Sequence, residues 1–462
     1  MPEAESSPEL QKSLKSRHMT MISLGGVIGA GLFVGSSAVI NTTGPAAVLS
    51  YLAAGFLIVL VMRMLGEMAV ANPQVGSFAE YARRSLGGWA GFSVGWLYWY
   101  FWSIVLAIEA VAGAEILQRW IDAPVWLMAL VLMALLTGIN LASVKSFGEF
   151  EFWFAGIKVV AIVAFIVIAA GFLFGIGAGD SPGFSNLTGN DGFAPAGVVT
   201  VLSGVVIVIF AFVGAEIVTI AAAESEEPEE NVTKAVNQVV MRILTFYVAA
   251  ILLIVFILPY KDAKPGESPF IASLETIGIP GAADVMNAVI VTAVLSCLNS
   301  GMYTGSRMLF ALARRGDAPK SLLEVNRRGV PVKAILLTSS IGFASTALAY
   351  LSPDTVFLFL VNSSGAIALF VYVLIACSQL KMRRQLEREA PERLKVKMWA
   401  FPYLTYFAIA AMVTVIASMA LVKDVRAQLI PSFISLAIVL AAYWFKTRAE
   451  RRTGTVPAGG TA

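Results

Sequence analysis

The sequence predicts an all-α polytopic membrane protein with 12 transmembrane helices, built as a 5+5 inverted repeat plus two extra helices. Three observations predict it. The 462 residues are 58% hydrophobic and only 14% charged, with mean hydropathy +0.79, which no ordinary soluble domain matches. Apolar runs long enough to span a bilayer recur from end to end. Two of those runs, the first and the sixth, are interrupted by glycine. Interrupted spans at corresponding positions of two halves point to an inverted repeat with a site at its interface.

The chain opens on a polar tail, 1–17, predicted to be cytoplasmic. Spans follow at 18–41, 45–70, 88–117, 123–143, 150–176, 196–223, 235–258, 283–313, 332–351, 354–378, 399–422 and 428–446. The transmembrane domain 18–446 divides into repeat one (18–176), repeat two (196–378) and the added helices (399–446), and 447–462 is a second cytoplasmic tail. Twelve spans put both termini on one side. Lys12, Lys15, Arg17, Arg83, Arg84, the 314–328 and 381–397 loops and the chain end are basic, whereas 177–195 holds no Lys or Arg. The positive-inside rule therefore places termini and basic loops in the cytoplasm, in a multi-pass cell-membrane protein. Glu224, Glu226, Glu227, Glu229 and Glu230 form an acidic loop on that side, either solvated or regulatory. Acidic residues carry little weight in the rule. The first span is too long and too glycine-broken for a cleaved signal peptide.

That first span holds Gly25, Gly26, Gly29, Gly31 and Gly35 within eleven residues, each a poor helix residue. Bare backbone in hydrocarbon is tolerated only where it is buried in protein or lines a cavity. A break there exposes the amides of one half-helix, which suit a carboxylate, and the carbonyls of the other, which suit an ammonium. In span 6, Phe210-Ala211-Phe212-Val213-Gly214-Ala215-Glu216 suggests a second unwinding. Close glycine packing is the alternative for both.

Buried charges are costly and each needs a role or a route to water. Glu216 follows the second suspected break, Glu109 lies deep in span 3, and Lys158 lies in span 5. A lysine ammonium can replace a bound sodium ion electrostatically, and can lose its charge with a proton. It can also snorkel to an interface. Glu109 can accept an ammonium or a proton, or serve as a hydrogen-bonded structural carboxyl. Arg63 with Glu67, and Glu115 with Arg119, have the spacing of interfacial pairs. Gly87, Gly91 and Gly95 repeat every four residues, the spacing of close helix packing, and the aromatic run 96–102 reads as core or lipid-facing. Ser296-Cys297-Leu298-Asn299-Ser300 and Asn362-Ser363-Ser364-Gly365 are small polar clusters that either glue helices or line a cavity. Cys297 and Cys377 lie in apolar runs and are expected as free buried thiols. With one histidine, His18, no histidine metal cluster is possible, and no cofactor is expected.

Gly-Val-Ile-Gly-Ala-Gly-Leu-Phe-Val-Gly-Ser at 26–36 resembles the helix 1 signature of amino acid permeases of the amino acid–polyamine–organocation (APC) superfamily. The stretch 144–153 is similar to the bacterial amino acid transporter branch. Stretches 214–225, 296–300 with 306–309 and 314–319, and 363–369 resemble gamma-aminobutyrate (GABA) permeases. The resemblance covers about residues 15 to 450. It implies a leucine-transporter-type fold, with the substrate carboxylate on amides near Ala30, Gly31 and Leu32. The ammonium would meet carbonyls near Val27, Phe210 and Val213, with Ile28 in the same binding site. By the same likeness Phe210 caps the substrate, Glu216 sits beside the helix 6 break, Lys158 couples protons and Cys297 borders the pocket. In GABA three methylenes separate the amine from the carboxylate, so the amine needs a partner farther out; Glu109 is the candidate, with Cys297, Asn299 and Ser364 behind it.

The resemblance thus implies a proton-coupled secondary importer of GABA or a similar small amino acid. The partners are the amino acid, the proton and the bilayer, with no nucleic acid and no oligomeric state assigned. The rivals are a permease for an α-amino acid such as proline, alanine or an aromatic, an amino acid exchanger, and a non-transporting receptor. No nucleophile–base pair, metal-ligand set or nucleotide loop supports an enzyme or a primary pump.

Overall fold

The computed structural model describes residues 14–25, 28–73, 77–176, 181–189, 191–222, 227–350, 364, 366–421 and 426–452. Every regular element among them is helical. In chain order they are α1 (Ser16–Gly25), α2 (Ala30–Phe33), α3 (Ser36–Thr43), α4 (Ala47–Ala71), α5 (Ser77–Leu86), α6 (Gly88–Leu117) and α7 (Val125–Ala142). Next come α8 (Val144–Leu173), α9 (Ser185–Thr188), α10 (Val198–Phe212), α11 (Ile217–Ala221), α12 (Pro228–Arg242) and α13 (Ala250–Ile257). The chain closes with α14 (Pro269–Ile277), α15 (Ala282–Arg314), α16 (Val332–Ala349), α17 (Ile367–Glu389), α18 (Tyr403–Met419) and α19 (Leu429–Arg452). Among the described residues seven helices are long and apolar enough to cross a membrane, and three shorter apolar helices accompany them.

Besides the four-residue α9, two short helices lie where the sequence reading had loops. In α5 the residues Phe78, Ala79, Tyr81 and Ala82 are buried and Arg84 is exposed, an amphipathic element too short and too charged to be read as a span. The second is α14, which begins with Pro269 at its first position, where a missing N–H costs nothing. Its Phe270 packs at a tilt against Phe33 of α2 and Phe165 of α8, with ring centroids 5.1 and 4.8 Å apart.

The core is centred on α15 and α6, which pack along their length. Glycines permit the approach. A methyl group on Gly95 would meet Leu312 at 2.6 Å, and one on Gly301 would meet Trp102 at 2.6 Å. The expected packing role of Gly91 and Gly95 therefore holds, since a methyl on Gly91 would also meet Arg83 Cβ at 2.6 Å. At the periphery the apolar surface faces outward. Trp153, Val160 and Val167 of α8 are more than 60% exposed, and in α19 only Ser432 is buried. Lipid is the solvent such surfaces require.

The basic segments gather at one end of the bundle. Asp317 pairs with Arg83 and with Lys446 of α19, Glu80 accepts from Arg84 at 2.7 Å and Arg315 at 2.5 Å, and Lys395 meets Glu229 at 2.5 Å. Arg63 and Glu67 do not form the expected pair. Arg63 donates instead to the Lys397 carbonyl at 2.8 Å and to Asn237 at 3.3 Å. Glu67 is buried and receives Arg383 Nη1 at 2.6 Å, Gln379 at 2.7 Å and the Met398 amide at 2.6 Å. The four-residue spacing offered a local partner, but the α17 guanidinium supplies a better-buried one. At the other end Arg119 pairs with Asp284 of α15 at 2.5 Å. Both cysteines are free, as expected, but only Cys297 is buried; Cys377 is half-buried.

The Glu67–Arg383 pair yields a stability prediction. Arg383→Met leaves Glu67 buried without its cation and is expected to cost about 3–5 kcal/mol. Adding Glu67→Met should recover most of that loss, as read from thermal unfolding in detergent.

Candidate functional site

Both expected breaks are present. α1 ends at Gly25, Ile28 and Gly29 are non-helical, and α2 begins at Ala30. Gly29 is extended (φ −126°, ψ −157°). A methyl group there would meet Glu109 Oε1 at 2.7 Å and Cys297 at 3.2 Å, and one on Gly31 would meet Ala211 Cα at 3.0 Å. Glycine thus lets the two broken segments and α6 converge. The second break separates α10 from α11. Val213 is extended and Gly214 has φ 110°, which a side chain rarely tolerates.

Glu216 locks this second break. It is fully buried and accepts from Tyr98 at 2.8 Å, from Tyr372 at 3.0 Å and from the Gly214 amide at 3.2 Å to each oxygen. Two phenols and a backbone N–H compensate a buried carboxylate. One turn on, Thr219 donates to the Glu216 carbonyl at 2.8 Å and receives Ser77 of α5 at 2.9 Å.

Between the breaks lies a cavity lined by Gly29, Gly31, Phe101, Trp102, Val105, Glu109, Phe210, Ala211, Val213 and Cys297. The space open to a water's centre is 20 Å³, room for about one water. Glu109 projects into it, accepting the Ala30 amide at 3.4 Å and hydrogen-bonding the Cys297 thiol. Phe210 packs edge-on against Phe101 with centroids 5.9 Å apart.

Lys158 lies behind the first break. Its side chain is 0% exposed, and Nζ donates to the Ile28 carbonyl at 2.9 Å and to Ser296 Oγ at 2.7 Å. The snorkelling alternative is thereby ruled out. Ser296 donates to Glu151 Oε1 at 2.5 Å.

Of the residues singled out from the sequence, Gly31, Glu109, Phe210, Val213 and Cys297 line the cavity. Ala30 reaches it through the amide that Glu109 holds. Ile28 offers its carbonyl to Lys158 instead, and the Leu32 amide is spent on the Gly29 carbonyl at 3.3 Å. Glu216 faces its two tyrosines, outside the cavity lining. Asn299 turns the other way, receiving Asn140 at 2.9 Å and donating weakly to Phe147 O at 3.4 Å. Ser364 is buried outside the lining. Val27 lies outside the described residues, as do Asn362 and Ser363. Phe101 and Trp102 belong to the aromatic run read as core or lipid-facing, yet both line the cavity. Glu151 was not singled out, although it stands seven residues before Lys158, on the same helix face.

Comparison with known proteins identifies the family. The amino acid permease family profile matches residues 18–454. The chain is 56% identical over 441 residues to the gamma-aminobutyric acid permease of Bacillus subtilis (strain 168), covering 95% of this chain and 94% of that protein. It is 47% identical to the gamma-aminobutyric acid permease of Escherichia coli (strain K12), covering 91% and 90%. It is 40% identical to an aromatic amino acid transport protein of Corynebacterium glutamicum, covering 98% and 99%. The broken helices and the full-length match lead to one conclusion: the chain is a multi-pass membrane protein belonging to the amino acid permease family.

Proposed function

We propose that this chain imports GABA with protons across the cell membrane. The observation that carries the reading is Glu109, a carboxylate held in a cavity between two helix breaks, on the Ala30 amide. An incoming substrate carboxylate would take the amides of Ala30 and Gly31, which Glu109 partly covers. The freed Glu109 would then receive the ammonium across the three methylenes of GABA. An α-amino acid, whose amine and carboxylate share a carbon, has less need of a distant carboxylate. The relatives at 56% and 47% identity carry GABA in their names, which supports the same substrate.

In this reading the chain has 12 spans in a leucine-transporter-type 5+5 repeat plus two helices. Both termini are cytoplasmic, a topology supported by the gathering of the basic segments at one end. The present cavity is too small for GABA, so binding requires the broken helices to part, as in alternating access. Lys158 supplies the coupling. Its ammonium satisfies the Ile28 carbonyl at 2.9 Å; without the proton that carbonyl loses a charge-assisted partner and the first half-helix is released.

Labelled GABA uptake into proteoliposomes tests the reading. An inward proton gradient should drive accumulation, and collapsing it should end accumulation. Lys158→Ala should remove gradient-driven accumulation by about tenfold or more, since a hydrogen bond to a charged group is worth about 1.5–3 kcal/mol. Uptake that ignores the gradient but needs preloaded amino acid would make the protein an exchanger, and competition by an aromatic or other α-amino acid in place of GABA would overturn the substrate.

Glu109→Gln should raise the KM for GABA by about tenfold or more, from the loss of one charged partner. Unchanged KM and unchanged pH dependence would remove Glu109 from the site.

A further inference from the structure

The buried chain behind the first break extends past Lys158. Glu151 precedes Lys158 by two turns of α8, and both side chains are 0% exposed. Ser296 of α15 lies between them. Its Oγ accepts from Lys158 Nζ at 2.7 Å and donates to Glu151 Oε1 at 2.5 Å. The other carboxylate oxygen meets Asn299 Nδ2 at 3.5 Å, and Asn299 is itself held by Asn140 at 2.9 Å. One hydroxyl thus joins a buried cation to a buried anion with short hydrogen bonds on both sides.

We propose that Glu151 is the proton acceptor for Lys158, with Ser296 as the bridge. The inference rests on the proton-coupled reading above and deepens it. An N–H bond of the Lys158 ammonium breaks as an O–H bond forms at Ser296 Oγ. At the same time the Ser296 hydroxyl proton passes to Glu151 Oε1. Ammonium plus carboxylate becomes amine plus carboxylic acid, and one proton has moved. Had Lys158 lost its proton elsewhere, Glu151 would remain as an uncompensated buried anion; the transfer removes both charges together.

Other polar groups flank this pair on two sides. Glu109 and Cys297 act electrostatically on Lys158 from the cavity side. At the other end of α8, His18 of α1 packs on Gly148, one turn from Glu151, where a methyl group would meet its Nδ1 at 2.9 Å. His18 Nε2 lies 3.2 Å from Glu149, which is 33% exposed and also holds Arg17. Tyr303 stacks on Phe147 at 4.0 Å beside Asn299. The partly exposed His18–Glu149 contact thus lies about one turn from Glu151, toward the start of α8.

The test uses proteoliposomes carrying an internal pH dye, with GABA added outside. The wild-type protein should acidify the interior when GABA enters. Glu151→Gln keeps the shape but cannot take the proton as a carboxylate; it should lose GABA-driven acidification and flatten the pH profile of uptake, with GABA/GABA counterflow as the control for folding. Ser296→Ala should lose acidification, and Ser296→Thr, which restores a hydroxyl, should regain it. Acidification and a pH profile like wild type in Glu151→Gln would overturn the relay. If that variant also fails counterflow, the Ser296 pair decides, and acidification surviving in Ser296→Ala overturns the proposal. Wild-type GABA uptake with no acidification would defeat the proton-coupled reading itself, a result distinct from failure of the relay.

Discussion

The structure depends on satisfying the backbone carbonyl that the first helix break leaves bare inside the protein. An open carbonyl in a membrane interior costs several kcal/mol unless it finds a partner. At Ile28 the partner is the ammonium of Lys158, 2.9 Å away and fully buried. The requirement works in both directions. The break needs a cation, and the buried cation needs acceptors, here the Ile28 carbonyl and Ser296. A titratable group is thereby tied to the geometry of the broken first helix.

The second break meets the same requirement by other means. Glu216 takes the Gly214 amide, and Tyr98 and Tyr372 compensate its charge from α6 and α17. Phe33, Phe165 and Phe270 close one side of the broken pair. Ser77 and Thr219 join α5 to α11 on the other. With both sides packed, the cavity between them shrinks to about the size of a water. Its wall carries a carboxylate and a thiol together with aromatic rings.

Much of this was legible in the chain because membrane helices declare themselves by length and hydropathy. Glycine density at 25–35 marked the first break, and Gly214 beside Glu216 marked the second. Individual charges inside apolar runs pointed to Glu109 and Lys158, since hydrocarbon makes every such charge conspicuous. Partners were far less legible. Glu67 sits four residues from Arg63, yet finds Arg383, more than three hundred residues away. Asn299 turns toward Asn140 and Glu216 toward two tyrosines, because the rotation of each helix is set by packing that no local pattern encodes. Phe101 and Trp102 were hidden within an aromatic run whose faces the sequence does not distinguish. Glu151 could have been found: a carboxylate two turns from a membrane lysine shares its face.

The most direct test of the substrate's position uses Cys297, which lines the cavity beside Gly29 and Glu109. With Cys377 replaced by Ser, the alkylation rate of Cys297 by a small membrane-permeant maleimide would be measured with and without GABA. Slower alkylation in the presence of GABA is the expected result, because the substrate would occupy the space against the thiol. Alkylation at an unchanged rate, under conditions in which GABA is transported, would contradict a substrate site between the two helix breaks.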